Sequence, residues 1–296
     1  MQGHYKGAMK MKKILIQLDS DRIASSFDAI TAYDAGVDQM LHYSGVMLEE
    51  VRGLVYGAMF TRGGDDLKNS AVFIGGSSVA KGESMLEEAK AAFFGPVRVS
   101  LMLDANGCNT TAAAAAAKIR STGDVTNKKI AVLAGTGPVG LRVAGLLGRD
   151  GAQVMLSSRS LARSEAACVS IQERFGVKVT PAEAADPQGT MRVLDGAYAV
   201  LSCGAAGVVL VPESIWADHP TVRVLADVNA VPPLGIEGIE SRWDGKEKHG
   251  KIIFGAIGIG GLKMKIHRRS VSRLFQQNNL VLDAEEIYAT AKEIIQ

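Results

Sequence analysis

The stretch Lys128-Lys-Ile-Ala-Val-Leu-Ala134, followed at once by Gly135-Thr136-Gly137-Pro138-Val139-Gly140, constrains the fold of this chain more than any other. An apolar run of that length ending in glycines reads as a buried strand, and the residues after it, to about Arg149, carry the period of a helix. A lone G-x-G-x-x-G is weak evidence. Placed between a strand and a helix, its glycines permit a tight turn, a close backbone approach and close packing of the helix on the strand. Such a turn aims unpaired N–H groups and the positive end of the helix dipole at one point, which suits a pyrophosphate. Gly135, Thr136, Gly137, Pro138, Val139 and Gly140 are therefore the expected phosphate loop of a dinucleotide-binding unit.

Strands at Gln153–Leu156, Val177–Val179, Tyr198–Leu201 and Val222–Ala226, with a helix across 160–174, continue the alternation. Alternation at this spacing defines a doubly wound parallel sheet. The first half reads the same way. Lys12–Leu18 is a strand that stops at Asp19-Ser20-Asp21, a helix covers about Ser25–Tyr33, and Ala71–Ile74 and Val97–Leu103 are strands flanking an amphipathic stretch. Asn109 or Thr110 is placed to cap the alanine-rich helix that runs to about Arg120. After Ile252–Phe254 the run Gly255–Gly261 reads as a flexible segment leading into an amphipathic helix, and a final helix from about Asp283 to Ile295 is expected to pack back on the first domain. The expected fold is α/β in two domains, a Rossmann-type parallel sheet plus an α/β substrate domain. Residues 11–124 with 262–296 form the substrate domain and 125–261 the nucleotide domain. Residues 1–10 read as a leader or tag.

With 47% hydrophobic residues in 296, the chain can bury a substantial core. Its formal charge of +2 and the lack of a dense Lys/Arg tract argue against nucleic-acid or membrane-surface partners. No apolar run approaches the ~18 residues of a membrane span, which points to the cytoplasm. Cys108, Cys168 and Cys203 stand far apart, without disulfide or metal-ligand spacing, so no metal is expected.

Dinucleotide units select their ribose at the end of the second strand, where Asp or Glu binds a 2′-hydroxyl. Here the residues are Ser157-Ser158-Arg159-Ser160. Without a carboxylate, Arg159 can pair a 2′-phosphate while Ser158 and Ser160 donate, so NADP is favoured over NAD. Asp104, Asn106 and Asn109 follow a strand end and either line a cleft or simply form a turn and cap. Asp19 and Asp21 follow another strand end, as ligand contacts or as solvated turn residues. Lys263 and Lys265 come after the glycine run, where a lysine can be held near a substrate or lie in solvent. His267, beside two arginines, reads as a helix-surface residue.

The segments Phe60-Thr-Arg-Gly-Gly64, Phe93-Phe-Gly-Pro-Val-Arg-Val-Ser100, Asp104-Ala-Asn-Gly-Cys-Asn-Thr-Thr111, Ala134-Gly-Thr-Gly-Pro-Val-Gly140, Pro232-Pro-Leu-Gly235 and Gly255-Ala-Ile-Gly-Ile-Gly-Gly-Leu-Lys263 together resemble the bacterial NAD(P)-dependent methylene-tetrahydromethanopterin dehydrogenases of one-carbon metabolism. The resemblance runs from about Lys12 to the C-terminus. It implies reversible hydride transfer from a methylene pterin to NADP⁺, a pterin cleft separating the two domains, and a homo-oligomer. It implies catalytic importance for Lys263, which closes the Gly-Gly-Leu-Lys motif, and a 2′-phosphate contact for Arg159. Asp104 is then the candidate source of negative potential near the reacting carbon, with Asp19, Asn106, Asn109 and Lys265 as substrate contacts. Ser158 and Ser160 stand where relatives carry Gly and Lys, which leaves room for NAD. The one-carbon carrier is tetrahydromethanopterin or, in related enzymes, tetrahydrofolate. A shikimate-dehydrogenase-like NADP oxidoreductase is the alternative of similar two-domain build.

Overall fold

The structure, a computed structural model, describes residues 11–295. The segment expected as a leader or tag lies outside the described residues. In chain order the elements are β1 (Ile14–Asp19), α1 (Ser26–Asp34), β2 (Gln39–Tyr43), α2 (Leu48–Phe60), β3 (Ser70–Gly75), α3 (Val79–Ala91), β4 (Ser100–Leu103), α4 (Cys108–Arg120), β5 (Lys129–Leu133), α5 (Pro138–Arg149), β6 (Gln153–Ser158) and α6 (Leu161–Phe175). They continue with β7 (Thr180–Glu183), α7 (Pro187–Leu194), β8 (Ala199–Ser202), α8 (Glu213–Trp216), β9 (Val224–Asp227), β10 (Asp244–Lys248), β11 (Lys251–Phe254), α9 (Ala256–Arg273), β12 (Val281–Leu282) and α10 (Ala284–Ile295).

Two compact units emerge. The first comprises the described residues up to Asn106 together with Arg268–Leu282. Its five strands run in the order β12-β4-β3-β1-β2 and pair in parallel throughout. Strands buried on both faces read as unbroken apolar runs, and β3, Ser-Ala-Val-Phe-Ile-Gly, is buried at every position. Leu18, Val55, Met59, Ile74 and Leu103 pack in its core. The order reverses between β1 and β3, the kind of position at which doubly wound sheets hold ligands.

The second unit comprises Gly107–His267 and the residues from Asp283 on. Its sheet has the order β10-β11-β9-β8-β5-β6-β7, parallel except for the β10–β11 hairpin, with its reversal between β5 and β8. Leu133, Val200, Trp216, Leu225 and Ile253 are buried in one core cluster.

The structure departs from the sequence expectations at several points. The units part between Asn106 and Gly107, not near residue 124, because α4 packs against α5 and α10. Ala112–Ala117 are all fully buried, since their small side chains let neighbouring helices close in on several sides. The final helix accordingly packs on α4 and α5 within the second unit rather than on the first domain. The cap of α4 is Gly107, in the left-handed region, and Asn109 and Thr110 lie inside the first turn.

The run Gly255–Gly261 is not a flexible linker. From Ala256 it is the first turns of α9. A Cβ at Gly255 would overlap the carbonyls of Glu240 and Ser241, and one at Gly258 the carbonyl of Trp243, so these glycines let the helix press against backbone. His267 is buried rather than on the surface. β7 begins at Thr180, three residues later than the expected start at Val177. β2 carried no readable period because only Met40 of its five residues is buried.

Candidate active site

The Gly135–Gly140 loop is built as its glycine spacing demands. Gly135 donates to the Ser157 carbonyl at 3.0 Å, which seats the turn beside β6. A Cβ at Gly135 would lie 2.7 Å from Val132 Cγ1, and one at Gly140 would overlap the backbone of Gly135. Both glycines are therefore required by packing. Gly137 differs: a Cβ there meets nothing within 4 Å. Its bare backbone faces open space at the N-terminus of α5, where Pro138 occupies the first turn. The loop thus leaves free the approach that a pyrophosphate needs.

A cavity of about 200 Å³ adjoins this loop, lined among others by Thr136, Ser158, Arg159, Arg163 and Gly204. Ser158 is buried and Arg159 exposed, and Ser160 is the residue before α6 without bonding its helix through its side chain. Arg163 escaped the sequence reading. It stands four residues after Arg159, one helical turn on, and that Arg-x-x-x-Arg spacing across a helix start was the available signal. Glu183, at the end of β7, accepts from Leu161 N at 3.2 Å and so caps α6. Two guanidinium groups, two serines and two threonines line this cavity, with no carboxylate among its lining residues.

At the end of β9, Asp227 is fully buried and accepts from Asn229 N at 3.0 Å and Ile236 N at 3.2 Å. Burial pushes its carboxyl above the ordinary aspartate range, against the pull of these hydrogen bonds. Asn229 then holds the turn around the cis Pro232–Pro233 peptide through Val231 and Pro233 carbonyls. This local folding rationale underlies the Pro-Pro-Leu-Gly segment. Sequence spacing alone did not point to Asp227.

In the first unit, Asp19 is buried and accepts from Asp21 N at 2.9 Å and Ser25 N at 3.0 Å. Asp21 accepts from both the backbone and the hydroxyl of Ser77 at 2.8 Å, which ties the loop after β1 to the loop after β3. Asp104, at the end of β4, is 1% exposed, and the backbone of Asn106 donates to Gly76 O while its side chain is exposed. The predicted residues Asp19, Asp104 and Asn106 therefore lie at the carboxyl ends of β1 and β4, the two strands that flank β3.

In the second unit, Asn109 is fully buried. Its amide donates to Asp283 at 2.8 Å and accepts from Arg142 Nε, while Arg142 also donates to the Pro138 carbonyl at 3.2 Å. Asn109 thus braces α4 against the phosphate-loop helix. Lys263 is half-buried in the second turn of α9 with its ammonium against Gly107, and Lys265 is exposed. Among the described residues, no group of His, Cys, Asp or Glu is arranged to hold a metal ion, and no helix is long and apolar enough to cross a membrane.

Comparison with known proteins places this geometry. Residues 26–106 match the family described as methylene-tetrahydromethanopterin dehydrogenase, N-terminal. The Bifunctional protein MdtA of Methylorubrum extorquens is 47% identical over 96% of this chain and 99% of its own length. The NAD(P)-dependent methylenetetrahydromethanopterin dehydrogenase of the same organism is 31% identical over 96% of this chain and 99% of its own length. Among solved structures, the quinate dehydrogenase of Corynebacterium glutamicum in complex with NAD superposes with a TM-score of 0.55 over 95% of this chain and 99% of that one, at 15% identity, a likeness of fold alone. Full-length kinship at these identities decides against the shikimate-dehydrogenase-like alternative: this chain belongs to the methylenetetrahydromethanopterin dehydrogenase family.

Proposed function

We propose that this chain is an NADP-dependent methylene-tetrahydromethanopterin dehydrogenase that interconverts the methylene and methenyl pterins in one-carbon metabolism. The observation that carries the cofactor assignment is the cavity bearing Arg159 and Arg163 beside a phosphate loop whose open glycine is Gly137. The pterin assignment is supported by the relative named for that reaction.

When bound, the nicotinamide supplies a hydride acceptor for the methylene carbon. The chain's own residues bind and orient. Gly135 through Gly140 cradle the pyrophosphate, with backbone N–H groups and the α5 dipole as its partners. Ser158, Arg159, Ser160 and Arg163 hold the ribose phosphate. Hydride loss leaves a cation spread over two nitrogens, so the buried carboxylate of Asp104 favours the product-like transition state by its potential. Lys263 orients a pterin carbonyl, a role that serves ring alignment rather than charge stabilisation. Asp19 and Asn106 are proposed as substrate contacts and Asn109 as the brace of α4, whereas Lys265, turned about 200° around α9 from Lys263, lies outside that set. The exposed apolar side chains Phe27, Ile30, Tyr33, Leu41 and Tyr43 support a homo-oligomer, and a cytoplasmic setting accords with this chemistry.

The deciding experiment follows NADPH absorbance with methylene-tetrahydromethanopterin and methylene-tetrahydrofolate, each against NADP⁺ and NAD⁺. Turnover of the first pterin with NADP⁺ is expected. Activity confined to the folate substrate transfers the reading to that carrier, and no hydride transfer from either overturns it.

Cofactor choice carries its own expectation. Arg159→Ala removes a charge-assisted contact of about 1.5–3 kcal/mol, so the KM for NADP⁺ should rise by about tenfold or more while that for NAD⁺ holds. Equal losses with both nucleotides would remove Arg159 from the phosphate site.

A further inference from the structure

Two consecutive residues between β4 and α4 are left-handed, Asn106 at φ 54°, ψ 20° and Gly107 at φ 57°, ψ 24°. Asparagine is one of the few residues with a side chain that adopts this conformation readily. Asparagine therefore suits the backbone at 107 as it does at 106, and what a side chain there would change is the space beside it. A Cβ on Gly107 would lie 2.8 Å from Lys263 Nζ and 3.2 Å from its Cε, and no other non-neighbouring atom comes within 4 Å. The volume left by the missing side chain is filled by the tip of one lysine.

Both ends of this contact are anchored. The Gly107 carbonyl accepts from the hydroxyl of Thr111 at 2.6 Å and that of Thr110 at 3.4 Å, which fixes the peptide at the head of α4. Lys263 stands on α9, whose start is held to the backbone of Ser241 by Ile257 N at 2.7 Å. Four methylenes give a lysine wide freedom, and a close wall at its tip restricts that freedom most directly.

We propose that Gly107 is a positioning residue that sets where the Lys263 ammonium stands for the pterin reaction. The proposal rests on the role given to Lys263 above; the Gly107–Lys263 contact does not.

Gly107→Asn tests it, because Asn suits the left-handed backbone, as at 106, while its Cβ invades the lysine's space. Gly107→Ala, with the same Cβ, is the second variant. In the otherwise native enzyme, kcat/KM for the methylene pterin should fall by at least about tenfold in both variants with NADP⁺ affinity held, and Tm should hold in Gly107→Asn, the alanine alone carrying the cost of a left-handed backbone. In a Lys263→Ala background the same substitution should add less than about twofold, since its target is gone. A second readout needs no turnover. The labelling rate of Lys263 by an amine-reactive ester, read by peptide mass spectrometry in the nucleotide-free protein, should change by about threefold or more in Gly107→Asn, with Lys265 constant as the internal control. Equal losses in both backgrounds, or an unaltered labelling rate, overturn the proposal. Near-native turnover of Lys263→Ala alone instead overturns the role of Lys263, and the labelling rate still decides whether Gly107 places its amine.

Discussion

Gly137→Val is expected to weaken NADP⁺ and NAD⁺ together by about a hundredfold, or ~2.7 kcal/mol, in a protein that remains folded. The separation of these two effects comes from the different surroundings of three glycines in one loop. A Cβ at Gly137 meets no atom within 4 Å, so a valine there is expected to fill the approach to the α5 N-terminus rather than to press on the protein. The helix end loses its ligand without losing its packing. Gly140→Ala should do the reverse. Its Cβ would overlap the backbone of Gly135, which cannot yield as a flexible side chain does. Overpacking of this kind costs about 1–3 kcal/mol and more against rigid backbone, so its Tm should drop by several degrees. Fluorescence titration of each nucleotide, beside thermal melts of both variants, reads the two outcomes separately. Undiminished nucleotide affinity in a folded Gly137→Val protein would make this loop a packing turn and nothing more.

That the strand–turn–helix setting of Gly135–Gly140 could be read from sequence while other parts could not has a physical basis. A strand, a tight turn and a helix within twenty residues leave few ways to place three glycines, so local geometry determines what each one does. The second glycine-rich segment lacks that property. Gly255 and Gly258 meet the carbonyls of Glu240, Ser241 and Trp243, and this tertiary reason for glycine cannot be told from flexibility without knowing which loop comes alongside. The alanine run of α4 posed the same difficulty. Its composition announced a helix, but not that two other helices would bury it and carry it, with α10, into the second unit.

Site residues divide along similar lines. Arg159 stands out in sequence because it follows the second strand of the nucleotide-type unit, whereas Arg163 one turn later looks like any solvated arginine on a helix until the cavity brings the two together. Asp19 and Asp104 were chosen for their position after strand ends, and both lie buried at the carboxyl edge of the first sheet. Asn109 was chosen by the same rule, and its burial against Arg142 and Asp283 gives it a bracing task that no spacing rule expresses.

Lys263→Ala should lower kcat/KM for the methylene pterin by at least about a hundredfold, equivalent to ~2.7 kcal/mol of transition-state stabilisation, while NADP⁺ affinity barely changes. The helical course of α9 sharpens this expectation beyond what the sequence allowed. Lys263 is half-buried with its ammonium against Gly107, while Lys265, two residues on, is turned about 200° around the helix axis and lies exposed. Two lysines that composition treats alike thus stand in opposite environments on one rigid element. Lys265→Ala is therefore the matched control: it removes the same charge from the same helix and should cost the pterin reaction much less. A general electrostatic effect of net charge would move both variants equally, because the whole-protein field responds to either loss alike. A positional effect moves only the first. If the lysine aligns the pterin, the loss should fall mainly on kcat, since misalignment leaves ground-state binding largely intact while depleting reactive geometries. Steady-state kinetics on both folded variants, with nucleotide binding measured independently, settles the assignment: near-native turnover of Lys263→Ala, or parallel losses in the two variants, would remove Lys263 from the reaction.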